Sequence, residues 1–239
     1  LSDFPKKGVL NFCRDKNNSE GYFLIPFARF ILDETKLSKN KDTNNFNYFQ
    51  TTNYLKSLHD NYIFKDKINK FYLNGLDGRG KRLNYFIYAL QNKSICDGHL
   101  YGGGPHKYGL THPNLVKILK ENNLASEQYD YFDSHFKYKY IIYYEGNTLS
   151  DRMRLLLNTN SVIIYKKSIY EEFYTYLLKD NINYIEYEDE NELRNIYNNL
   201  ENDEKLCLQI IENNKKFIDE ILTYDNILKY TADLLNILL

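Results

Sequence analysis

Short apolar runs alternate with amphipathic stretches along the second half of the chain. The apolar runs predict strands at residues 138–144, 161–165 and 182–187. Apolar residues that recur at three- and four-residue spacing predict helices at 148–157, 169–178, 190–200, 203–222 and 225–238. Because strands that alternate with helices form parallel sheets covered on both faces, the predicted fold class is α/β.

The first half of the chain gives a weaker pattern. It predicts strands at 9–13 and 71–73 and helices at 81–91 and 114–122. The segment 98–113 is rich in Gly, His and Pro and is predicted to be a loop. Residues 36–47 are charged and rich in Asn and Lys, which predicts a surface loop and a boundary between two lobes, 1–60 and 61–239.

The charge balance excludes several classes of partner. Lys and Arg number 31 and Asp and Glu 32, so no basic field would attract nucleic acid or an anionic membrane. No window approaches the roughly 18 apolar residues of a membrane span. The sequence begins at Leu1 without a leader-like segment, which predicts a cytoplasmic protein, or one of the secretory-pathway lumen if a leader precedes Leu1.

Metal, thiol and serine-hydrolase chemistry find little support in the residue spacing. The five histidines form neither H-x-x-x-H nor H-E-x-x-H, although three of them, His99, His106 and His112, share the Gly-rich segment. The three cysteines show no C-x-x-C spacing, and no G-x-S-x-G occurs. No metal and no cofactor are therefore expected.

Residues 145–152 (E-G-N-T-L-S-D-R) are the first candidate site. Gly146 permits a tight turn after a strand, and Asn147 or Thr148 would cap the next helix. Backbone N–H groups and the dipole at such a helix start favour a diphosphate, and Arg152 would add a bidentate cation. An ordinary capped helix with a surface arginine fits the local pattern slightly better.

Residues 74–82 (N-G-L-D-G-R-G-K-R) are the second candidate. Their glycines would let a ligand approach the backbone, and Arg82 would supply another cation. The spacing matches neither a P-loop nor G-x-G-x-x-G, and a flexible connector is an equally good interpretation.

Asp15 is the third candidate, at the end of the strand predicted at 9–13. A carboxylate at that place would suit a general base that takes a proton from an attacking hydroxyl. A surface ion pair or a turn residue is the better local interpretation.

In order and spacing, these segments resemble glycosyltransferase family 90, the CAP10-like or protein O-glucosyltransferase-like family. The resemblance lies in K-Y-K-Y-I-I-Y-Y-E-G-N-T-L-S-D-R-M-R-L-L-L at 137–157, S-V-I-I-Y-K-K-S-I-Y-E-E-F-Y at 161–174 and I-N-Y-I-E-Y at 182–187. Upstream it extends to 63–82 and to L-N-F-C-R-D at 10–15.

The resemblance implies a GT-B-like fold, in which two Rossmann-like lobes face a cleft. Only 14 residues precede Asp15, so the N-terminal lobe, which holds the base and the acceptor, is expected to be reduced or truncated. The resemblance also implies an inverting, metal-independent transfer of a glucosyl or xylosyl unit from a UDP-sugar to a hydroxyl of a glycan or protein acceptor. The 61–239 lobe would bind the donor.

The resemblance implies roles for individual residues as well. Asp15 would be the general base, and Glu172 would contact the ribose. The remaining UDP-sugar contacts would be Gly75, Arg82, Gly146, Asn147, Thr148, Leu149, Ser150, Asp151 and Arg152. Glu145 is a mild departure from the family pattern, and Asn74 and Leu76 are larger ones. Together with the short N-terminal part, Asn74 and Leu76 leave a non-catalytic sugar-nucleotide or glycan-binding module as the main alternative. A retaining or metal-dependent transferase is a further one.

Overall fold

The structure is a computed structural model, and it describes residues 9–11, 14–18, 22–24, 26, 46–76, 81–101, 113–126, 131–145, 150 and 152–238. Its strands are β1 Val9–Asn11, β2 Arg14–Asp15, β3 Tyr22–Leu24, β4 Ile68–Leu76, β5 Cys96–Tyr101, β6 Ala125–Ser126, β7 Tyr138–Tyr143, β8 Val162–Lys166, β9 Tyr170–Glu171 and β10 Ile185–Tyr187. Its α-helices are α1 Tyr48–Ser57, α2 Leu83–Gln91, α3 Pro113–Glu121, α4 Met153–Leu156, α5 Leu193–Asn202, α6 Glu204–Glu220 and α7 Tyr224–Leu238.

A six-stranded parallel sheet forms the centre of the protein, in the order β10-β8-β7-β4-β5-β6. The chain starts in the middle at β4, runs outward to β6, and then returns to the other side of β4 as β7. This is the doubly wound, Rossmann-like arrangement, and it confirms the predicted parallel α/β sheet. Its strand order reverses between β4 and β7, where the carboxyl ends of the strands leave a crevice for ligands.

Both faces of the sheet are buried because the apolar strand residues point alternately to opposite sides. Phe71 and Leu73 belong to one core cluster, together with buried residues of α2, α3 and α5. Tyr72, between them in sequence, belongs to a second cluster with buried residues of α1, α4 and α7. The continuous apolar runs of the sequence are therefore the signature of a sheet that helices cover on both sides.

Elements from the first 60 residues pack onto this sheet layer. Leu24 and α1 contribute to the second core cluster, and the Tyr230 hydroxyl of α7 donates to the Leu24 carbonyl. α1 is capped by Asn47, whose side chain accepts from the Phe49 and Gln50 amides in a capping box. The polar segment predicted at 36–47 therefore ends in a helix cap, and its residues 36–45 lie outside the described part of the chain.

The structure corrects the helix predicted at 169–178 and the loop predicted at 98–113. The helix predicted at 169–178 is instead the two-residue strand β9 followed by a 3₁₀ helix at Thr175–Leu177. The backbone of β9 pairs antiparallel with β2, and Phe173 and Tyr174 are buried in the second core cluster, so tertiary contacts override the local periodicity. The loop predicted at 98–113 begins too early, because Gly98 to Tyr101 complete β5.

Among the described residues, no helix is long and apolar enough to cross a membrane.

Candidate functional site

The candidate site lies at the reversal point of the sheet, where β4 and β7 end side by side. Asn74 and Gly75 stand at the end of β4, and Tyr144 and Glu145 follow β7. Two of the segments predicted to bind a ligand therefore meet at the crevice that open parallel sheets use for ligand binding.

Two arginines converge on Gly75. A Cβ atom at this position would lie 2.6 Å from Arg82 Nη1 and 3.3 Å from Arg152 Nη1. A contact of 2.6 Å is shorter than side chains tolerate, so the absence of a side chain at Gly75 is what lets the Arg82 guanidinium lie against the strand. The structure thus brings Arg152 next to Gly75 and Arg82, which belong to a distant part of the sequence.

Hydrogen bonds hold both guanidinium groups in place. Arg152 Nη1 donates to the Asn74 carbonyl, and its Nη2 donates to the Tyr101 hydroxyl at 3.1 Å. Arg82 is 7% exposed and donates from Nη2 to the Tyr144 carbonyl at 3.5 Å. Because a guanidinium keeps its proton at every accessible pH, two fixed positive charges stand at this crevice. That arrangement is suited to an anionic ligand such as a diphosphate.

The predicted helix start at 148–157 is partly wrong. The helix α4 begins only at Met153 and has four residues, with Arg152 as its N-cap. Ser150 lies outside the helix, is buried, and its carbonyl accepts the Tyr143 hydroxyl at 2.9 Å. A helix this short contributes little dipole, so the positive potential comes from the Arg152 side chain instead. Five predicted contacts of this segment lie outside the described residues, namely Gly146, Asn147, Thr148, Leu149 and Asp151.

Glu145 connects the two sides of the site. Its Oε1 lies 2.7 Å from the Lys81 ammonium, and its Oε2 accepts the Ser168 hydroxyl at 2.6 Å. The carboxylate is largely buried, whereas the Lys81 side chain is 39% exposed. Glu145 therefore holds the residue next to Arg82 and the segment that follows β8.

Glu172 is buried next to the second core cluster, to which Phe173 and Tyr174 belong. It is 4% exposed, and its amide donates to Thr175 Oγ1 at 2.8 Å. Burial raises the pKa of Tyr143 and Tyr174 well above the usual value, and the nearby Glu172 charge raises both further. A contact of Glu172 with a ribose stays a prediction.

The structure describes the backbone of Asp15, and it brings this backbone to the same region. Asp15 pairs with Tyr170 in the antiparallel strand pair β2–β9. The next residue, Lys16, donates its amide to the Ile169 carbonyl at 2.7 Å and its ammonium to the Ser168 carbonyl at 3.2 Å. The strand that contains the predicted base is thus joined to the segment that contacts Glu145.

Three site residues escaped the sequence reasoning, Tyr101, Ser168 and Tyr170. Each ends a strand of the sheet or follows one at its carboxyl end, a signal that a search of every strand end would have used. Tyr101 was hidden by the loop predicted at 98–113. Tyr170 was hidden by the helix predicted at 169–178.

No cluster of three or more His, Cys, Asp or Glu side chains that could hold a metal ion occurs in the described ranges. His99 Nε2 lies 3.0 Å from the Ser126 hydroxyl. His106 and His112, which share its Gly-rich segment, lie outside those ranges.

Comparison with known sequences adds a family match over most of the chain. The model of glycosyl transferase family 90 matches residues 40–237. Protein O-glucosyltransferase 2 of Danio rerio is 32% identical over 129 residues, which cover 53% of this chain and 23% of that protein. The chain thus spans about a quarter of the length of this relative.

Comparison with solved structures finds proteins whose fold is similar to that of this chain. Two crystal structures of Anabaena Alr3699/HepE, one in complex with UDP-glucose and one with UDP and glucose, match with a TM-score of 0.51. The identities are 10% and 12%, and the matches cover 77% and 76% of this chain and 52% of each HepE chain. The likeness confirms the predicted GT-B-like α/β fold, and it spans about half of HepE.

Proposed function

The chain belongs to glycosyl transferase family 90, and on that premise we propose that it transfers a glycosyl unit from a UDP-sugar to a hydroxyl of a glycan or protein acceptor. The observation that carries the proposal is the pair of guanidinium groups, Arg82 and Arg152, that meet at Gly75 beside the reversal point of the sheet. A nucleoside diphosphate is the part of the donor that such a charge pair fits.

The physical role of the two arginines is to stabilise the leaving group. When the bond between the sugar and the diphosphate breaks, negative charge builds up on UDP. Cations fixed beforehand at that place stabilise this charge without reorganisation, which is the usual source of large catalytic effects. Because the arginines can supply this charge, we propose that transfer needs no metal ion.

We assign the general base to Asp15. In a single displacement it would take the proton of the acceptor hydroxyl while that oxygen attacks the anomeric carbon, so the configuration inverts. The pairing of β2 with β9 supports the assignment, because it joins the strand of Asp15 to the donor side of the crevice. The division into a base-bearing lobe, 1–60, and a donor-binding lobe, 61–239, belongs to the same proposal.

The sugar is proposed to be glucose or xylose. HepE is a structural neighbour with UDP-glucose bound, and the Danio rerio relative is named as a protein O-glucosyltransferase. Both support UDP-glucose as the first donor to test, and the relative's name supports a protein hydroxyl as acceptor.

The decisive experiment measures UDP release from UDP-glucose and UDP-xylose, with and without EDTA. We expect turnover of at least one donor, unchanged by EDTA, and a product of inverted anomeric configuration. Asp15→Asn should abolish transfer and leave UDP affinity nearly unchanged, because the base does not contact the nucleotide. Asp225→Asn, an exposed aspartate on α7, is the matched control and should behave like the wild type.

Each alternative has its own outcome. UDP binding without turnover of any donor would identify a non-catalytic sugar-nucleotide module. Loss of turnover in EDTA, or a product of retained configuration, would contradict the proposed mechanism. Full activity in Asp15→Asn would refute the assignment of the base.

A further inference from the structure

Glu145 is the residue that joins two separate segments to the end of β7. Its two carboxylate oxygens bind Lys81, which precedes α2, and Ser168, which follows β8. It stands directly after the buried strand β7, so its own backbone is fixed by the centre of the sheet. A short, largely buried carboxylate with both oxygens occupied is a rigid connector.

One arm of this connector reaches the arginine pair. Lys81 is the neighbour of Arg82, and the Arg82 guanidinium donates to the carbonyl of Tyr144, the neighbour of Glu145. The ion pair of Lys81 with Glu145 and this hydrogen bond therefore both join the start of α2 to the end of β7. The Arg82 contact is made to a backbone carbonyl, so it does not depend on the Glu145 carboxylate itself.

The other arm reaches the strand of Asp15. The Ser168 hydroxyl donates to Glu145 and accepts the Tyr170 amide at 3.0 Å, and the Ser168 carbonyl accepts the Lys16 ammonium. Tyr170 in turn pairs with Asp15 across β2 and β9. The path from Glu145 to the backbone of Asp15 thus consists of a few direct contacts.

We infer that Glu145 is a positioning residue that sets the place of the β2–β9 strand pair, and with it Asp15, relative to the arginine pair that holds the diphosphate. The inference rests on the proposed function, because it concerns the distance between the base and the donor in that reaction. In this inference, Lys81, Glu145 and Ser168 affect the chemical step without contacting UDP.

The inference predicts a split between binding and turnover. Misplacing a reacting group by about 1 Å costs on the order of 10²-fold in rate. Glu145→Gln keeps the size of the side chain but loses the charge that holds Lys81. We therefore expect kcat to fall roughly 10- to 100-fold, while the Kd for UDP stays within about twofold because Arg82 and Arg152 are still present.

Two further variants separate positioning from folding. Ser168→Ala removes only the arm toward β2–β9, and it should lower kcat less than Glu145→Gln does, again with UDP affinity retained. Glu190→Gln is the matched control, because Glu190 also pairs with a lysine, Lys166 at 3.2 Å, and also accepts a hydroxyl, that of Tyr144 at 2.7 Å. Glu190→Gln should not lower kcat without an equal loss of UDP affinity.

Hydrogen exchange provides a test that needs no turnover. The Lys16 amide is bonded across the β2–β9 region, and the Tyr170 amide donates to Ser168. Glu145→Gln and Ser168→Ala should speed exchange at both amides, whereas Glu190→Gln should not. The kinetic and exchange measurements use the whole 239-residue chain, with UDP and UDP-glucose as probes.

The outcomes distinguish failure of the inference from failure of the proposed function. Equal losses of kcat and UDP affinity in Glu145→Gln, or wild-type kcat, would overturn the positioning role. A wild-type chain that turns over neither UDP-glucose nor UDP-xylose would overturn the proposed function. In that case hydrogen exchange alone tests the structural role of Glu145. Unchanged protection of the Lys16 and Tyr170 amides in Glu145→Gln would refute that role.

Discussion

Cationic side chains lie at both ends of the central sheet, and they differ in whether they keep their charge. At the carboxyl end, Arg82 and Arg152 crowd Gly75. At the amino end, Lys67 precedes β4 and is 7% exposed. Its ammonium donates to the Thr159 carbonyl at 2.6 Å and to Ser161 Oγ at 2.7 Å.

The difference lies in whether the charge can be lost. Burial, together with the positive charge of Lys215, lowers the pKa of Lys67 to about 6, so at neutral pH this amine is mostly uncharged. An arginine cannot relieve its desolvation in this way, because a guanidinium stays protonated in proteins. Lys67 therefore serves as a neutral structural donor, whereas the arginine end keeps its charge. A retained charge pair at the reversal point of the sheet is what an anionic ligand requires.

Removal of one arginine should give the largest effect. Arg152→Met is expected to weaken UDP binding roughly 10- to 150-fold, the equivalent of about 1.5–3 kcal/mol for a hydrogen bond to a charged group. Isothermal titration with UDP measures it. Arg194→Met is the control, because Arg194 donates to Asn92 on an exposed surface. Equal UDP affinity in both variants would contradict the role of the arginine end.

Two glycine substitutions sharpen the same contrast. A Cβ at Gly75 meets Arg82 Nη1 at 2.6 Å, and a Cβ at Gly98 meets the Leu73 carbonyl and Phe86 Cε1, both at 2.8 Å. Gly75→Ala should therefore displace the end of the Arg82 side chain rather than any backbone, and lower UDP affinity about tenfold with a small change in stability. Gly98→Ala should lower the free energy of unfolding by about 1–3 kcal/mol and leave the UDP affinity of the folded protein intact.

Titration and urea unfolding test this pair of variants. The comparison fails if Gly75→Ala destabilises the protein as much as Gly98→Ala does while UDP affinity stays at the wild-type value.

The low pKa of Lys67 at the amino end should make the free energy of unfolding depend on pH. Between pH 6 and the usual lysine pKa of 10.5, the unfolded chain binds a proton at Lys67 that the folded chain does not. The free energy of unfolding should therefore rise with pH in this window, by at most about 1.4 kcal/mol per unit. The stabilisation is complete above the upper limit and is lost as the pH falls toward 6.

Lys67→Met should flatten this rise, as urea unfolding at several pH values would measure. Lys167→Met, which removes an exposed lysine paired with Glu188, should not. His59 affects mainly the acid limit of this window, because burial lowers its pKa from 6.5 and the charge of Lys215 lowers it further, against a hydrogen bond to the Asn158 carbonyl. An unchanged slope in Lys67→Met would mean that this amine is charged in the folded protein.

The smallest effect is expected at Tyr101. Tyr101→Phe removes only the hydroxyl that accepts from Arg152 Nη2. A single hydrogen bond is worth about 0.5–1.5 kcal/mol, so UDP affinity should fall a few-fold. Tyr197→Phe, which removes a hydroxyl bonded to the Asn69 carbonyl at the amino end, is the control and should not change UDP affinity.

The sequence predicts the sheet and the site unequally well, for a physical reason. The strands β7 and β8 each contain a run of four buried apolar residues, because both sheet faces are covered, and the sequence shows this local pattern directly. The strand β9 cannot be predicted from the local sequence, because Tyr170 and Glu171 are extended only through their pairing with the distant strand β2. The helix predicted from residue 148 begins at Met153, since the Tyr143 hydroxyl holds the buried Ser150 outside it.

The site follows the same rule. Arg82 and Arg152 could be selected from the sequence because each follows a predicted strand end. Their convergence on Gly75, and the role of Glu145 as connector, depend on strand order in space, which no local pattern encodes. The roles of Asp15 and of the residues predicted to contact UDP stay predictions.

A titration of UDP into the wild type and into Arg82→Met/Arg152→Met tests the central claim most directly. The account predicts saturable binding to the wild type that EDTA does not change, loss of that binding in the double variant, and retention of it in Lys67→Met. Wild-type affinity in the folded double variant, or binding that disappears with EDTA, would contradict the claim that the arginine pair holds the diphosphate.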